Sequence, residues 1–329
     1  MSRAIAPRET GAALLMVLIV VGVIGAIAAV TFDQLRLATM LASNSGNLEQ
    51  ARSFALAAET LAAARIEALV AVSPTRTTLA GGWQGRPTTV PLPNGAARLV
   101  VRDGGNCFNL NSLVVANGKG ALVSRPLAIE QFVQLMAGLG IAQGDARRVS
   151  AAAADWIDSD QLPNPGGAED STYLRRKPAY RTGDTLMAEA SELRAVAGVS
   201  PALYDRLRPW LCALPIAEMS PININTLTAQ QGPLLAMLVP TPLTDAAARR
   251  IIASRPGAGW PSVRAFWNSP ALSQYEPDGE VLRQPQVRTQ WFTLDLAIAA
   301  GAAELAESAL VDARRLPVRV ASRRWTEAE

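Results

Sequence analysis

The residues best suited to chemistry form one acidic run. Asp155, Asp158 and Asp160 are followed, across a Pro- and Gly-bearing loop, by Glu169 and Asp170: five carboxylates within sixteen residues. Like charges this close repel unless something neutralises them. Arg175, Arg176 and Lys177 stand just downstream. A hard cation is the other solution, since Ca²⁺ takes roughly six to eight oxygens from carboxylates, carbonyls and water. With Asp158 as position 1 of an EF-hand, Asp160 falls at 3 and Glu169 at 12, but Leu162 and Pro163 occupy 5 and 6, where that motif needs an oxygen and a glycine. The loop is therefore irregular. Asp155, three residues before Asp158, lies on the same helix face. Three uses stay open: a solvated acidic loop, a structural Ca²⁺ site, or a paired-carboxylate hydrolase site. Against the last, a sugar cleft usually draws its acids from separate elements.

The rest of the composition narrows the chemistry. The 329 residues include no His. That removes imidazole acid–base catalysis, Ser-His-Asp and Cys-His nucleophiles, and imidazole metal ligands. Zn²⁺ is disfavoured as well, because the two cysteines, Cys107 and Cys212, are remote from each other and from the acids. No Gly-rich phosphate cradle accompanies the carboxylates. If the body lies outside the cytoplasm, a Cys107–Cys212 disulfide is the economical reading; two buried reduced thiols are the alternative. The net charge of +3 is too small and too scattered to imply nucleic acid.

These side chains must be positioned by the elements around them, and the chain is organised from its start. Ala12–Phe32 carries no charge and no Pro. As a helix it spans about 30 Å, enough to cross a bilayer core. Arg3 and Arg8 precede it, which places the N-terminus in the cytoplasm by the positive-inside rule. The body then lies outside the membrane. Residues 33–72 continue as an amphipathic stem helix, with a kink expected at Asn44-Ser45-Gly46-Asn47 and with Glu59, Arg65 and Glu67 on its outer face. Residues 73–113 read as two or three antiparallel strands packed on that stem, with turns at Asn94-Gly95 and Asp103–Asn106 and Cys107–Leu113 as the last piece. Residues 114–285 carry short helices at 129–139, 145–157, 191–197, 201–207 and 246–253. Residues 286–329 return to strand alternation at 291–299, 305–313 and 317–323, with Trp325–Glu329 as a frayed tail. A helical block between two β-rich flanks predicts an α+β fold in which an all-α domain is inserted into a sheet.

An internal echo joins the two parts. Asn109-Leu110-Asn111-Ser112-Leu113 and Asn223-Ile224-Asn225-Thr226-Leu227 share one pattern. The amides are expected to bind nearby backbone, and Asn225 or Thr226 to cap the next helix. Residues 224–263 also look like a helix-hairpin-helix repeat, which makes a membrane-anchored DNA-binding protein the alternative function. Its hairpin, Val239–Leu243, has two Pro and no Gly to free amides for phosphate, and only Arg249, Arg250 and Arg255 supply charge. A membrane-anchored hydrolase using the acidic run is the third reading.

The stretch Arg8-Glu9-Thr10-Gly11 before Ala12-Ala13-Leu14-Leu15-Met16 resembles the type IV pilin leader. In that family a prepilin peptidase cuts after the Gly and the new N-terminus, here Ala12, is methylated. Pilins carry Glu at mature position five, where this chain has Met16. Such a Glu pairs with the amine of the preceding subunit, so its absence suits a subunit at a fibre tip. Together with Cys107–Leu113, Asp155–Asp160, Gly167–Asp170 with Tyr180-Arg181, and Ile222–Leu227, the chain resembles the type II secretion minor pseudopilins of the protein K family over nearly its whole length.

The resemblance implies a long N-terminal transmembrane helix, a pilin-like antiparallel sheet and a large inserted all-α domain. It implies a non-catalytic subunit capping the pseudopilus with minor pseudopilins I and J above the major pseudopilin. Such a subunit helps initiate pseudopilus assembly and the export of folded periplasmic proteins across the outer membrane, and the secreted substrate is a further candidate partner. It implies a single pass in the inner membrane, a cytoplasmic N-terminus, a periplasmic body and no nucleic acid partner. It also implies Ca²⁺ in the inserted domain, held by Asp158, Asp160, Glu169 and Asp170, with Asp155 and Asp184 as secondary candidates. The divisions that follow are leader 1–11, membrane helix 12–32, stem 33–72, first β part 73–113, inserted domain 114–285 and last β part 286–329.

Overall fold

The computed structural model describes residues 10–239, 243–275, 279–301 and 303–326. Arg3, Arg8 and Glu9 of the leader, and Pro240–Pro242 of the hairpin, lie outside the described residues.

One helix, α1 (Thr10–Val72), runs 63 residues without a break. The kink expected at residues 44–47 is absent: Asn44 and Asn47 cost helix propensity, but the ladder continues through them. The first part of α1 is exposed on all sides and is apolar and long enough to cross a membrane. The second part is a stem against a five-stranded antiparallel sheet of β1 (Thr88–Leu92), β2 (Gly95–Asp103), β7 (Trp291–Ala300), β8 (Ala303–Asp312) and β9 (Arg319–Thr326), ordered β1-β2-β7-β8-β9. Ala51, Ala55, Ala58 and Ala62 let the sheet approach closely and pack on Leu99, Leu294, Leu296, Ile298 and Leu305. Toward the end of the stem, Ile66 and Val70 pack on Phe292, Val311 and Val318. Glu59 and Glu67, expected on the outer face, turn to the sheet instead: Glu59 is 7% exposed and bound to Arg323, and Glu67 accepts the Val318 amide.

The turn at Pro93-Asn94 needs its glycine. A Cβ on Gly95 would lie 1.8 Å from the Ala299 carbonyl oxygen of the neighbouring strand. Trp325, expected in the tail, belongs to β9 and lies near the Arg323 guanidinium.

Between β2 and β7, which are neighbours in the sheet, the chain leaves at Asp103 and returns at Trp291. The excursion holds β3 (Phe108–Asn109), β4 (Val114–Ala116), β5 (Leu122–Ser124), α2 (Pro126–Gly138), α3 (Gln143–Ile157), α4 (Asp170–Tyr173), α5 (Pro201–Leu207), β6 (Leu211–Cys212), α6 (Gly232–Ala236), α7 (Asp245–Ala253) and α8 (Val263–Trp267). The expectation that Cys107–Leu113 is a strand of the stem-packed sheet is corrected here. Phe108–Asn109 pair in parallel with Leu211–Cys212, and Leu110–Leu113 form a 3-10 turn, all inside the helical block. The predicted helix at 191–197 is a 3-10 turn over Ala190–Ala195. The block has its own core, in which Phe108 stacks on Phe132 at 4.6 Å.

The two Asn motifs tie the block together in the same way. Asn111 donates to the Met187 carbonyl and accepts the Met187 amide. Asn225 does the same with Trp260. Each carboxamide thus stands in for a paired strand residue. Neither Asn225 nor Thr226 caps the following helical turn; Thr228 does, in a capping box with Gln231. At the junction with the sheet, buried Asp103 accepts from the Thr226 and Thr289 hydroxyls at 2.6 and 2.5 Å and from the Gly105 amide. Cys107 and Cys212 form a disulfide.

Candidate metal centre

The acidic run folds at the end of α3. The helix stops at Asp158, which takes its capping position. The following loop is pinned to β5 by the Ser159 amide on the Leu122 carbonyl and the Leu122 amide on the Ser159 hydroxyl. The loop comes back so that Glu169 stands at the N-cap position of α4, its side chain making no capping hydrogen bond. This brings Asp158, Asp160 and Glu169 together, one oxygen from each lying within 4.8 Å of the others.

Asp158 and Glu169 are buried, 2% and 3% exposed, and Asp160 is exposed. One Asp158 oxygen accepts from the Ser124 hydroxyl at 2.7 Å. Its Oδ1 and both oxygens of Glu169 are buried with no hydrogen-bond partner. Unpartnered buried carboxylate oxygens are costly, and each needs a donor, a proton or a cation. Burial and the adjacent Asp160 and Asp155 charges push the Asp158 carboxyl up to about 6. Burial, followed by the charges of Asp155, Asp158, Asp184 and Asp160, pushes Glu169 up to about 8. The set is all oxygen and carries surplus negative charge, which suits a hard cation.

The remaining acids have other work. Asp155 is buried and accepts from the Asn164 amide and side chain and from the Ala168 amide. It holds the loop in shape and shows no oxygen to the centre. Burial raises its pKa against those hydrogen bonds. Gly167 makes this possible: a Cβ there would sit 1.9 Å from Asp155 Oδ2. Asp170 is kept ionised below the usual carboxylate range, first by the Thr182 amide and also by Arg181. It therefore stands apart from the three-residue cluster. Asp184 accepts from Thr182 and Gln161.

Arg175, Arg176 and Lys177, one of the two solutions the sequence offers for the acids, do not neutralise the three-residue cluster. Arg176 lies over the Tyr173 and Tyr180 rings and donates to the Tyr180 hydroxyl and the Ala195 carbonyl. Among the described residues no ion pair joins Arg175, Arg176 or Lys177 to Asp158, Asp160 or Glu169. Sequence reasoning missed Ser124 and Asn164. Asn164 donates to both Asp155 and Ser124, and Ser124 donates to Asp158. Ser124 is 34 residues from Asp158 in sequence, so no local spacing reveals it.

Of the three arginines that supply charge to the helix-hairpin-helix-like segment, Arg249 pairs with Asp245, and Arg255 is spent on the Ile224 and Leu227 carbonyls.

A long apolar helix whose distal half carries an antiparallel sheet is a pilin-like architecture, here with a helical block and an acidic centre added between two sheet strands. Two family models, both described as type II secretion system protein K, match residues 106–216 and 222–288. The chain is 39% identical over 270 residues to type II secretion system protein K of Klebsiella pneumoniae, covering 81% of each. It is 32% identical over 319 residues to that of Pectobacterium carotovorum subsp. carotovorum, covering 97% of each. It superposes on a chain of the GspK-GspI-GspJ complex of enterotoxigenic Escherichia coli with a TM-score of 0.74 and 30% identity, over 85% of this chain and 97% of the other. The chain belongs to the type II secretion system protein K family.

Proposed function

We propose that this chain is the non-catalytic subunit at the tip of the pseudopilus, anchored once in the inner membrane and joined there by minor pseudopilins I and J. The tip complex starts pseudopilus assembly and serves the export of folded proteins. One observation carries the reading. The helical block leaves the sheet at Asp103 and Trp291, beside Phe292, which packs against Ile66 and Val70 at the end of the stem. The block therefore projects from the end of the molecule farthest from the apolar part of α1. A subunit stacked above would collide with it, so the geometry suits an end that nothing follows. Met16 at the place of the pilin Glu supports the same position.

The centre at Asp158, Asp160 and Glu169 is read as a structural Ca²⁺ site. The ion would draw the three oxygens together and fix the loop between α3 and α4; it has no part in catalysis. Asp155, Asn164 and Ser124 hold the ligands in place, and Asp170 braces the loop through Arg181 and Thr182.

The reading is tested by the mass of the N-terminus of the protein from membranes, with and without the prepilin peptidase. A chain beginning at methylated Ala12 only when the peptidase is present is the expected result. An uncut N-terminus in peptidase-positive cells would leave a simple anchored protein and remove the pseudopilus reading.

A further inference from the structure

The last turns of α1 and the segment leading into β1 enclose a groove of about 580 Å³. Its floor is apolar, made by Ile66, Leu69, Trp83 and Val101. Trp83 is fixed there, its indole N–H on the Thr78 carbonyl at 2.7 Å and its ring against Phe292. Val72, at the groove's end, is 86% exposed. Arg65 and Arg86 stand on the rims, both exposed, and neither forms an ion pair with a described residue. An apolar floor between two unengaged guanidiniums is complementary to large apolar side chains flanked by carboxylates.

The bordering strand β1 is an edge, but it is five residues long and contains Pro91. Such an edge resists strand addition, so the occupant is held by its side chains. The groove also lies about 60 Å along the helix axis from Phe32, at about 1.5 Å per residue. A neighbour with a stem of similar length brings its folded body to that height.

We propose that this groove seats an amphipathic, carboxylate-bearing segment of a neighbouring pilin-type subunit. The proposal rests on the reading of this chain as one subunit of a pseudopilin complex and adds the surface through which a partner is held. It is tested on the full-length chain co-expressed with its I and J partners and extracted in mild detergent. A photo-reactive phenylalanine in place of Arg86 is expected to cross-link to I or J. The double charge reversal Arg65→Glu and Arg86→Glu is expected to cut retention of that partner tenfold or more, and a Lys at the cross-linked partner carboxylate is expected to restore it. Because neither arginine forms an ion pair with a described residue, the melting temperature should not move. If it does, the Arg65→Gln and Arg86→Gln pair decides: retention must fall and lose salt dependence. Unchanged retention of I and J, no cross-link at position 86, or a cross-link to a second copy of this chain overturns the groove assignment and leaves the complex intact. Failure of the wild-type chain to retain I or J at all overturns the subunit reading and the groove with it.

Discussion

Glu59 of α1 and Glu307 of β8 face each other across the seam between stem and sheet, and one guanidinium, that of Arg323, serves both. Arg323 binds the two Glu59 oxygens at 2.6 and 2.7 Å and lies 3.3 Å from Glu307. Burial, then the hydrogen bond and charge of Glu59, push Glu307 up to about 7. Burial acts on Glu59 in the same direction, but the hydrogen bonds from Arg323 and Glu307 outweigh it and leave Glu59 below its usual value. The folded pKa of Glu307 lies above its unfolded value. Its contribution to stability is therefore complete below about 4.5 and is lost as pH rises through about 7. Glu307→Gln keeps the shape without the charge. At pH 8 the variant should melt above wild type by about 2–4 °C, the shift that ~1 kcal/mol produces in a chain of this size. At pH 5 the two should melt together. A gap that stays the same at both values would show that Glu307 is ionised throughout.

The candidate metal centre makes a second pH prediction of opposite use. Without an ion, Glu169 holds a proton at neutral pH, and a cation must displace it. Calorimetry in buffers of different ionisation heat should register proton release on Ca²⁺ binding. The affinity should rise from pH 6 toward 8 and then level off. At a hundredfold excess over the dissociation constant the ion should add about 2.7 kcal/mol of stability, and EGTA should remove it. Asp158→Asn and Glu169→Gln should abolish the increment. Asp170→Asn should lower the melting temperature, through lost contacts to Arg181 and Thr182, while leaving Ca²⁺ affinity within about threefold. A large loss of affinity in Asp170→Asn would put Asp170 among the ligands.

How much of this was legible beforehand differs by element. The long apolar helix, the five strands of the large sheet and the helices at α2, α3, α5 and α7 follow from apolar period and turn residues alone. The acids that meet, Asp158, Asp160 and Glu169, also follow from sequence, because one local loop carries them. What did not follow is which acids do other work. Asp155 and Asp170 look the same as ligands in sequence, yet each is consumed by backbone amides that only the folded loop presents. Glu59 was misplaced for the same kind of reason: its partner, Arg323, is 264 residues away. The third strand was misassigned at Cys107–Leu113 because alternation marks an extended segment but not its partner, and here the partner is Leu211–Cys212 in parallel.

Asp103 predicts that the sheet and the helical block melt as one unit. Its carboxylate serves Thr226 from the block and Thr289 beside β7. Asp103→Ala leaves the Thr289 hydroxyl and the Gly105 amide without their acceptor in a buried place, while the Thr226 hydroxyl keeps the Asn223 carbonyl. Each such group costs about 1–3 kcal/mol, so a loss of about 2–6 kcal/mol is expected in thermal or denaturant unfolding. Hydrogen exchange should show amides of both β7 and the 223–227 segment losing protection together. Loss confined to one side would mean that the two parts are stable independently.

Gly167 tests whether the centre depends on its supporting shell. A Cβ at this position would lie 1.9 Å from Asp155 Oδ2 and 3.0 Å from the Asn164 carbonyl. Asp155 is buried and bound on three sides, so it cannot move aside without breaking its bonds to Asn164 and Ala168. Gly167→Ala therefore changes no ligand but must shift the loop that carries Glu169. Displacement of a supporting residue typically costs 10–100-fold in metal affinity. The variant should show a loss of about that size in Ca²⁺ titration, with the melting temperature in EGTA lowered as well. Asp155→Asn keeps one acceptor for the Ala168 amide but turns its NH2 toward the two Asn164 donors; it forces no atom into the loop backbone, so it should lose less affinity than Gly167→Ala. The opposite order would make Asp155 a direct ligand and assign the distortion at Gly167 a minor part.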